Sequence, residues 1–451
     1  MQASEQERAF LDTVCQEVRW QAAHPCIRAE LCDHIEDQKE ALLRSGLAPE
    51  AAQEKTLREL GEPEMLGQLF DASYRPAATF GVLAPIVLYA LLGIVFRLLV
   101  YRMSGTAAWT GFLLAVVLGG AGIALLFRLN LYRLGRFGWL TYAAFLGIVI
   151  VIPAVYSAVI GQVTPESTIY LEVRYLWMLF PLIYGLLLYR LRGLGSFGIL
   201  AAAALVGVPF LLSAVLFWSG FYWEGIACFA SLWMLIYAIQ SSFFHCNKAL
   251  AIALILFFVP LLIGLFLISE PYRVARLLAV LNPARDPMGD GWLVLRIREL
   301  ISHAAILGEG SALPTAAQEV ATRFGESTNS QSLLLAMLAY RYGLAVAALP
   351  VIGLCVWIGY GITRVRNLGS TLGKLLASAI LLVFGAQAVL SIAVFFGYPL
   401  WYSAVFPFLT DNTLAFLINL LLAGLLAYLL RTDGLYQDTR YRKKKLRLRL
   451  E

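Results

Sequence analysis

The stretch EPYRVARLLAVLNPARDPMGDGWLVLRIRELISHAAILGEGSALP, residues 270–314, is a polar island in an oily chain. It carries Arg273, Arg276, Arg285, Asp286, Asp290, Arg296, Arg298, Glu299 and Glu309 among turn formers such as Pro283, Gly289, Gly291 and Pro314. Polar residues continue to Gln331, and the apolar run SLLLAMLAYRYG, residues 332–343, follows. Such a segment is too polar to cross a bilayer and too long for a simple connector, so it reads as a loop held at one membrane face by what flanks it.

What flanks it is apolar. Of 451 residues, 60% are hydrophobic and only 14% charged, with a mean hydropathy of +0.74; a soluble domain carries about a quarter charged residues, so that class is excluded. About ten runs reach membrane-spanning length. They lie near 80–101, 108–127, 138–161, 173–190, 197–217, 221–240, 249–270, 330–360, 375–397 and 411–430. The runs are continuous and not short and alternating, which predicts an all-α polytopic membrane protein and no barrel. The first begins some 80 residues in, and no secretory signal is expected before it. Three parts follow: a helical prefix at 1–76, a membrane domain at 77–432 with its large loop at about 271–329, and a basic tail at 433–451.

Short cytoplasmic loops collect Lys and Arg. Arg128, Arg133 and Arg136, then Arg190 and Arg192, Lys248, and Arg364, Arg366 and Lys374 all fall between alternate spans, on the side of the tail RYRKKKLRLRL. With ten spans, prefix and tail are expected in the cytoplasm and the long loop outside. The tail, residues 440–450, would lie on anionic headgroups or pair with the acidic prefix. Nothing beyond charge points to nucleic acid, and no such partner is expected.

The prefix is acidic and has apolar residues at helical spacing: Phe10, Leu11, Val14 and Val18; Ile27, Leu31, Ile35 and Leu42; Leu57 and Leu60; Leu66, Leu69 and Phe70. Gly46 and Gly61 mark helix ends, and Pro25, Pro49 and Pro63 mark starts, so three or four helices are expected. The group His24, Cys26, Cys32 and His34 has the spacing of no usual structural zinc site, and neither a metal nor any other cofactor is expected. The six cysteines are divided between prefix and apolar runs, so no disulfide framework is expected.

Two resemblances add to this reading. The words IRAELCDHIEDQKEALLRSGLAPEAAQEKTLRELGEPEMLGQLF, with Glu30, Leu31, His34, Gly46, Glu50, Ala51 and the LGEPE turn, resemble the permease prefix domain of Gram-positive membrane proteins. That implies a cytoplasmic interaction or signalling module without chemistry of its own. In the membrane part, Arg273 and Arg276 ahead of LNPARDPMGDGW, the turn AILGEGSALP, the run AMLAYRYG, and Phe406, Pro407 and Phe408 resemble the shape, elongation, division and sporulation (SEDS) family, FtsW/RodA/SpoVE. The resemblance covers roughly residues 80–432 and implies a glycosyltransferase of the bacterial plasma membrane. Such a protein would polymerise lipid-linked peptidoglycan precursor beside a penicillin-binding transpeptidase or another divisome or elongasome protein.

Glycosyl transfer needs a carboxylate to take the proton from the attacking sugar hydroxyl and cations to neutralise the leaving diphosphate. Under the resemblance Arg273, Arg276, Asp286, Arg296 and Arg298 are the substrate-binding candidates. Arg296 and Arg298 equally fit a surface helix, LVLRIRELI, with Leu293, Ile297, Leu300 and Ile301 buried. The family's acid falls on Ser332, and Tyr340 and Arg341 stand where two glutamates usually follow. A serine without an activating partner is a poor base, so the sequence predicts a divergent member that binds precursor or partners. The alternative is an active enzyme with a relocated carboxylate, Glu326 or Glu319. A flippase or transporter would need polar residues facing one another near the bilayer midplane, and few are evident. Asp411, before LAFLINLL, reads as a helix N-cap.

Overall fold

The computed structural model describes residues 5–74, 80–104, 109–128, 135, 137–160, 174–216, 222–244, 271–289, 291–312, 330–398, 406–410 and 412–432, with isolated positions between 248 and 264. The regular structure among them is helical, joined by turns, and no strand occurs among them.

The prefix contains α1 (Glu5–Glu17), α2 (His24–Arg44), α3 (Pro49–Leu60) and α4 (Pro63–Ser73). Each proline sits in the first turn, where a missing N–H costs nothing. Gly46 and Gly61 follow α2 and α3 at φ +93° and +88°, the left-handed region that glycine enters freely. Leu11, Val14, Val18, Ala23, Ile27, Leu31 and Ile35 form the core. Leu69, expected in that core, instead faces outward with Met65. Gly67 lets α4 cross α1 at close range: a Cβ there would lie 2.6 Å from Glu17 Cβ and 2.8 Å from Val14 O. Beside it, Arg19 grips Asp71 with Nε at 3.0 Å, Nη2 at 2.7 Å and the backbone N–H at 3.0 Å. The His24 ring contacts Val18 O, Nε2 to oxygen at 2.8 Å.

The membrane part contains α5 (Phe80–Ser104), α6 (Trp109–Leu126), α7 (Gly138–Ile160), α8 (Phe180–Leu191, entered through a 3-10 turn at Arg174–Leu179), α9 (Gly195–Leu216) and α10 (Tyr222–Gln240). The polar loop contributes α11 (Pro271–Leu281) and α12 (Trp292–Ser302), and then come α13 (Ser330–Tyr342), α14 (Leu344–Arg366), α15 (Thr371–Phe395) and α16 (Thr413–Arg431). Among the described residues, α14, α15 and α16 are long and apolar enough to cross a membrane, and shorter apolar helical stretches lie at Ala84–Val95, Gly111–Leu126, Gly138–Ile152, Gly195–Val208 and Gly225–Gln240. The seventh expected span, 249–270, lies almost wholly outside the described residues, as does the tail.

One expected span is corrected. The run at 330–360 is two helices, because Gly343 at φ +104°, ψ 154° breaks it. That conformation is open almost only to glycine, so α13 stays with the loop and α14 alone is the long apolar helix.

The buried axis of the bundle is α16 with α15. Phe112, Phe384, Phe408 and Phe416 meet there, the last 4.7 Å from Phe112 between ring centroids. Packing of α6 on α16 relies on glycines: Gly111 against Thr413 at one end, Gly119 against Leu420, Gly122 against Leu421, and Gly424 against Ile123. These contacts pair the start of α6 with the start of α16 and the end with the end.

Candidate functional site

The loop helices fold over the end of the bundle where α16 starts and α15 stops. Their cap is built around tight turns. After α11 the chain makes a short 3-10 turn at Pro283–Arg285, and Asp286 then organises the next bend. Its Oδ1 accepts the Gly289 N–H at 3.0 Å, and its backbone oxygen accepts the Gly291 N–H at 3.0 Å. A Cβ on Gly289 would collide with the Asp286 carboxylate, and one on Gly291 with Pro283 O. The Gly-x-Gly of this motif is thus a steric requirement of the bend, and Asp286 is its staple.

Burial of Leu293, Val294, Ile297 and Leu300 sets the face that α12 turns inward, onto α13 and the end of α15. The two arginines of α12 then do different things. Arg298 donates from Nη2 to Val280 O and to Gly397 O, each at 3.3 Å, and its guanidinium lies 5.3 Å from the Tyr398 ring centre. It ties the end of α11 to the end of α15. Arg296 is mostly enclosed; its Nη1 lies 2.8 Å from Glu299 Oε2, and its Nε is buried without a hydrogen-bond partner among the described residues. Of the two readings of LVLRIRELI, the packed amphipathic helix describes Arg298, whereas Arg296 keeps one unused donor.

The chain then clips back onto α13. Backbone bonds run from Gly308 N to Tyr342 O at 3.1 Å, Gly310 N to Tyr340 O at 2.8 Å, Leu344 N to Ala305 O at 2.9 Å and Ala345 N to Ile306 O at 3.1 Å. Tyr340 Oη donates to Ser311 O at 3.3 Å, and Arg341 pairs with Glu309. A Cβ on Gly343 would lie 2.6 Å from Ile306 O, so the break that ends α13 is also the point of closest approach to the clip.

The remaining candidates are placed as follows. Arg273 and Arg276 lie within α11 and Ser332 within the first turn of α13, but their side chains are outside the described residues; Glu326, Glu319 and Asp290 are wholly outside. Described cap carboxylates are Asp286, Glu299 and Glu309, each engaged as above. No contact joins the candidates into one constellation among the described residues.

Beyond the cap, Phe406, Pro407 and Phe408 lead into α16. Phe408 is buried at φ +65°, an uncommon state for a non-glycine residue, and is held by stacking on Tyr89 at 5.5 Å and Phe384 at 5.7 Å. The N-cap expected at Asp411 is corrected: Asn412 caps α16, with its Oδ1 accepting the Ala415 N–H at 2.8 Å, while Thr410 Oγ1 accepts the Asn412 N–H at 3.0 Å. Asp411 itself lies outside the described residues. The three-residue reach from Oδ1 to the N–H decides which side chain caps a helix, and here it starts one position later.

The residues that sequence reading missed are Gln387 of α15 and Asn419 of α16. Both are fully buried, and they exchange hydrogen bonds, Gln387 Nε2 to Asn419 Oδ1 at 3.0 Å and Asn419 Nδ2 to Gln387 Oε1 at 3.2 Å. Their signal was two isolated amides in long apolar runs.

No family model matches the chain. Over 160 residues it is 26% identical to a probable peptidoglycan glycosyltransferase FtsW of Trichlorobacter lovleyi, covering 35% of this chain and 40% of that one. Over 176 residues it is 28% identical to the same-named protein of Halothiobacillus neapolitanus, covering 36% and 39%. Over 58 residues it is 40% identical to that of Borreliella burgdorferi, covering 13% and 16%. The chain therefore matches 40% or less of the length of these curated relatives. Among solved structures it resembles one described as "Structural coordination of polymerization and crosslinking by a peptidoglycan synthase complex", with a TM-score of 0.56, 18% identity, and coverage of 79% of this chain and 98% of that one. At that identity the likeness speaks for the fold. The rod-shape-determining protein RodA of Thermus thermophilus is more distant, at a TM-score of 0.49 and 14% identity over the same shares.

Proposed function

We propose that this chain, an FtsW/RodA/SpoVE family member, is a divergent one that serves bacterial cell-wall growth, division, shape or sporulation by holding lipid-linked peptidoglycan precursor or a protein partner, without polymerising through the family's acid. The observation that carries this reading is the clip. Tyr340 and Arg341, at positions the resemblance fills with glutamates, fasten the 303–311 turn through Ser311 O and Glu309. Ser332, at the acid's position, offers no carboxylate. These fastenings support the binding reading over one that runs through acids at positions 332, 340 and 341. Arg273, Arg276 and the spare donor of Arg296 remain as the groups that would meet a diphosphate.

The second reading is an active glycosyltransferase with a loop carboxylate, Glu326, moved into place. A flippase is less favoured, because the buried Gln387 and Asn419 amides are taken up by hydrogen bonds to each other. A penicillin-binding transpeptidase is the partner proposed, and the basic end of the bundle is proposed to face the cytoplasm with both termini.

The test is glycan-strand formation from purified lipid-linked disaccharide, with and without a co-expressed penicillin-binding protein. The expected result is no polymer from the unmodified chain and polymer from Ser332→Asp. Polymer from the unmodified chain that disappears in Glu326→Gln would establish the enzyme and overturn the binding reading.

A further inference from the structure

The prefix and the opposite end of the membrane bundle carry opposite charge, and the chain keeps them close. Residues 1–75 hold fifteen acidic against eight basic residues, a balance of −7; with +6 for the whole chain, the remainder carries +13. The structure gathers part of that excess at one end. Arg431 lies over the Phe127 ring at 5.4 Å, next to Arg128. Gly193 N donates to Phe243 O at 3.0 Å, which joins the turn after Arg190 and Arg192 to the end of α10, where Lys248 Nζ donates to Gln240 O at 2.8 Å. Gly135 is packed between Leu372 and Tyr189, which brings the start of α15, with Lys374, beside the end of α8. Arg364 and Arg366 close α14 just before it. Among the described residues no Asp or Glu of the membrane part lies at this end; Asp286, Glu299 and Glu309 are in the cap at the other.

This is also the end from which α5 starts, because α5 runs towards the start of α6, which packs by Thr413 at the cap end. Only residues 74–79 separate α4 from α5. The seven Cα steps from Ser73 to Phe80 span at most about 25 Å, and a globule of some 70 residues is itself about 30 Å across. The prefix is thus tethered within its own diameter of the basic end.

Its complementary surface is on α2. Ile27, Leu31 and Ile35 face the prefix core, and the opposite arc carries Glu30, Asp33, Glu36, Asp37 and Glu40, all exposed. Glu30 accepts from Tyr74 and Glu40 pairs with Arg44, whereas Asp33, Glu36 and Asp37 have no ion pair among the described residues. An anionic lipid surface would repel such a face, and the basic end of the bundle attracts it. We propose that the prefix folds back on this chain's own membrane bundle, with the Asp33, Glu36 and Asp37 face of α2 against the basic end formed by Arg190, Lys248, Arg364, Arg366 and Lys374.

The test uses the full chain in nanodiscs of zwitterionic lipid. An amine-reactive cross-linker is expected to join Lys39 or Lys55 of the prefix to Lys248 or Lys374, with the yield lost at high salt. Asp33→Arg with Glu36→Arg and Asp37→Arg should reduce the cross-link to background, as should Arg364→Glu with Arg366→Glu. The five changes together should restore it, an outcome that misfolding of either part cannot produce. Glu62→Arg with Glu64→Arg, at the start of α4, should leave it unchanged. Failure of the combined variant to recover the cross-link, equal loss from the α4 variant, or a cross-link that forms only with anionic lipid would each overturn the proposal, the last in favour of a lipid-docked prefix.

Discussion

Replacing Gly343 with alanine places a methyl group 2.6 Å from Ile306 O and 2.7 Å from Leu307 Cα, on a residue whose φ is +104°. Two costs add. The backbone region itself costs about 1–3 kcal/mol for a residue with a Cβ. Relieving the overlap moves the 304–308 turn and breaks the bonds from Leu344 N to Ala305 O and from Ala345 N to Ile306 O, at about 0.5–1.5 kcal/mol each. The sum is roughly 2–6 kcal/mol, and at about 1.4 kcal/mol per factor of ten it raises local opening of the clip by roughly 30-fold to 20,000-fold. Hydrogen exchange of the Gly308, Gly310 and Leu344 amides in the full chain reads this directly, since those protons are freed when the clip opens. Gly359→Ala is the control, being exposed on α14 with nothing within 4 Å of the new Cβ. Equal protection of the three amides in the two variants would refute the argument that Gly343 fastens the cap.

Two further outcomes test other parts of the packing. Gln387→Leu leaves the Asn419 amide without its partner in an apolar interior and should cost about 1–3 kcal/mol of resistance to denaturing detergent; Gln387→Leu with Asn419→Leu should recover most of that, and equal losses from single and double variants would remove the pair as the cause. Gly67→Val drives a side chain into Glu17 and the Val14 carbonyl and should lower prefix stability by about 1–3 kcal/mol, read as faster exchange in α1 and α4 with α14 to α16 unchanged.

Composition and apolar run length made the helical membrane class legible, because hydrocarbon admits few backbone solutions and the signal extends over some twenty residues at a time. Prefix helix limits were legible for the same kind of reason: Pro49, Pro63, Gly46 and Gly61 act locally. What failed was anything that depended on a partner distant in sequence. Gly343 looked like one more residue of an apolar run until the carbonyl of Ile306 came to rest beside it. Arg298 fitted a phosphate ligand and a packed helix equally well in the sequence, and the two backbone carbonyls that accept from its Nη2 lie 18 and 99 positions away. Leu69 fitted the helical period but lies on the outer side of α4, since α1 approaches along Gly67. The Asn412 cap differs from the expected Asp411 by one residue, where local pattern alone offers two capable side chains. The Gln387 and Asn419 pair is visible only when two helices are laid side by side.

The way Arg298 is anchored bears on how this sequence can drift. Its acceptors at positions 280 and 397 are main-chain oxygens, which every amino acid supplies, so the bond places no demand on the identity of the side chain at 280. Gly397 is less free, for it sits at φ +76° with its missing Cβ 2.6 Å from Arg298 Cγ. Variation should therefore be lopsided: wide latitude at Val280, little at Gly397, and least at position 298, where lysine would supply charge without the planar fork. A deep mutational scan of residues 278–300 and 395–399 would display that asymmetry as a pattern of tolerated letters.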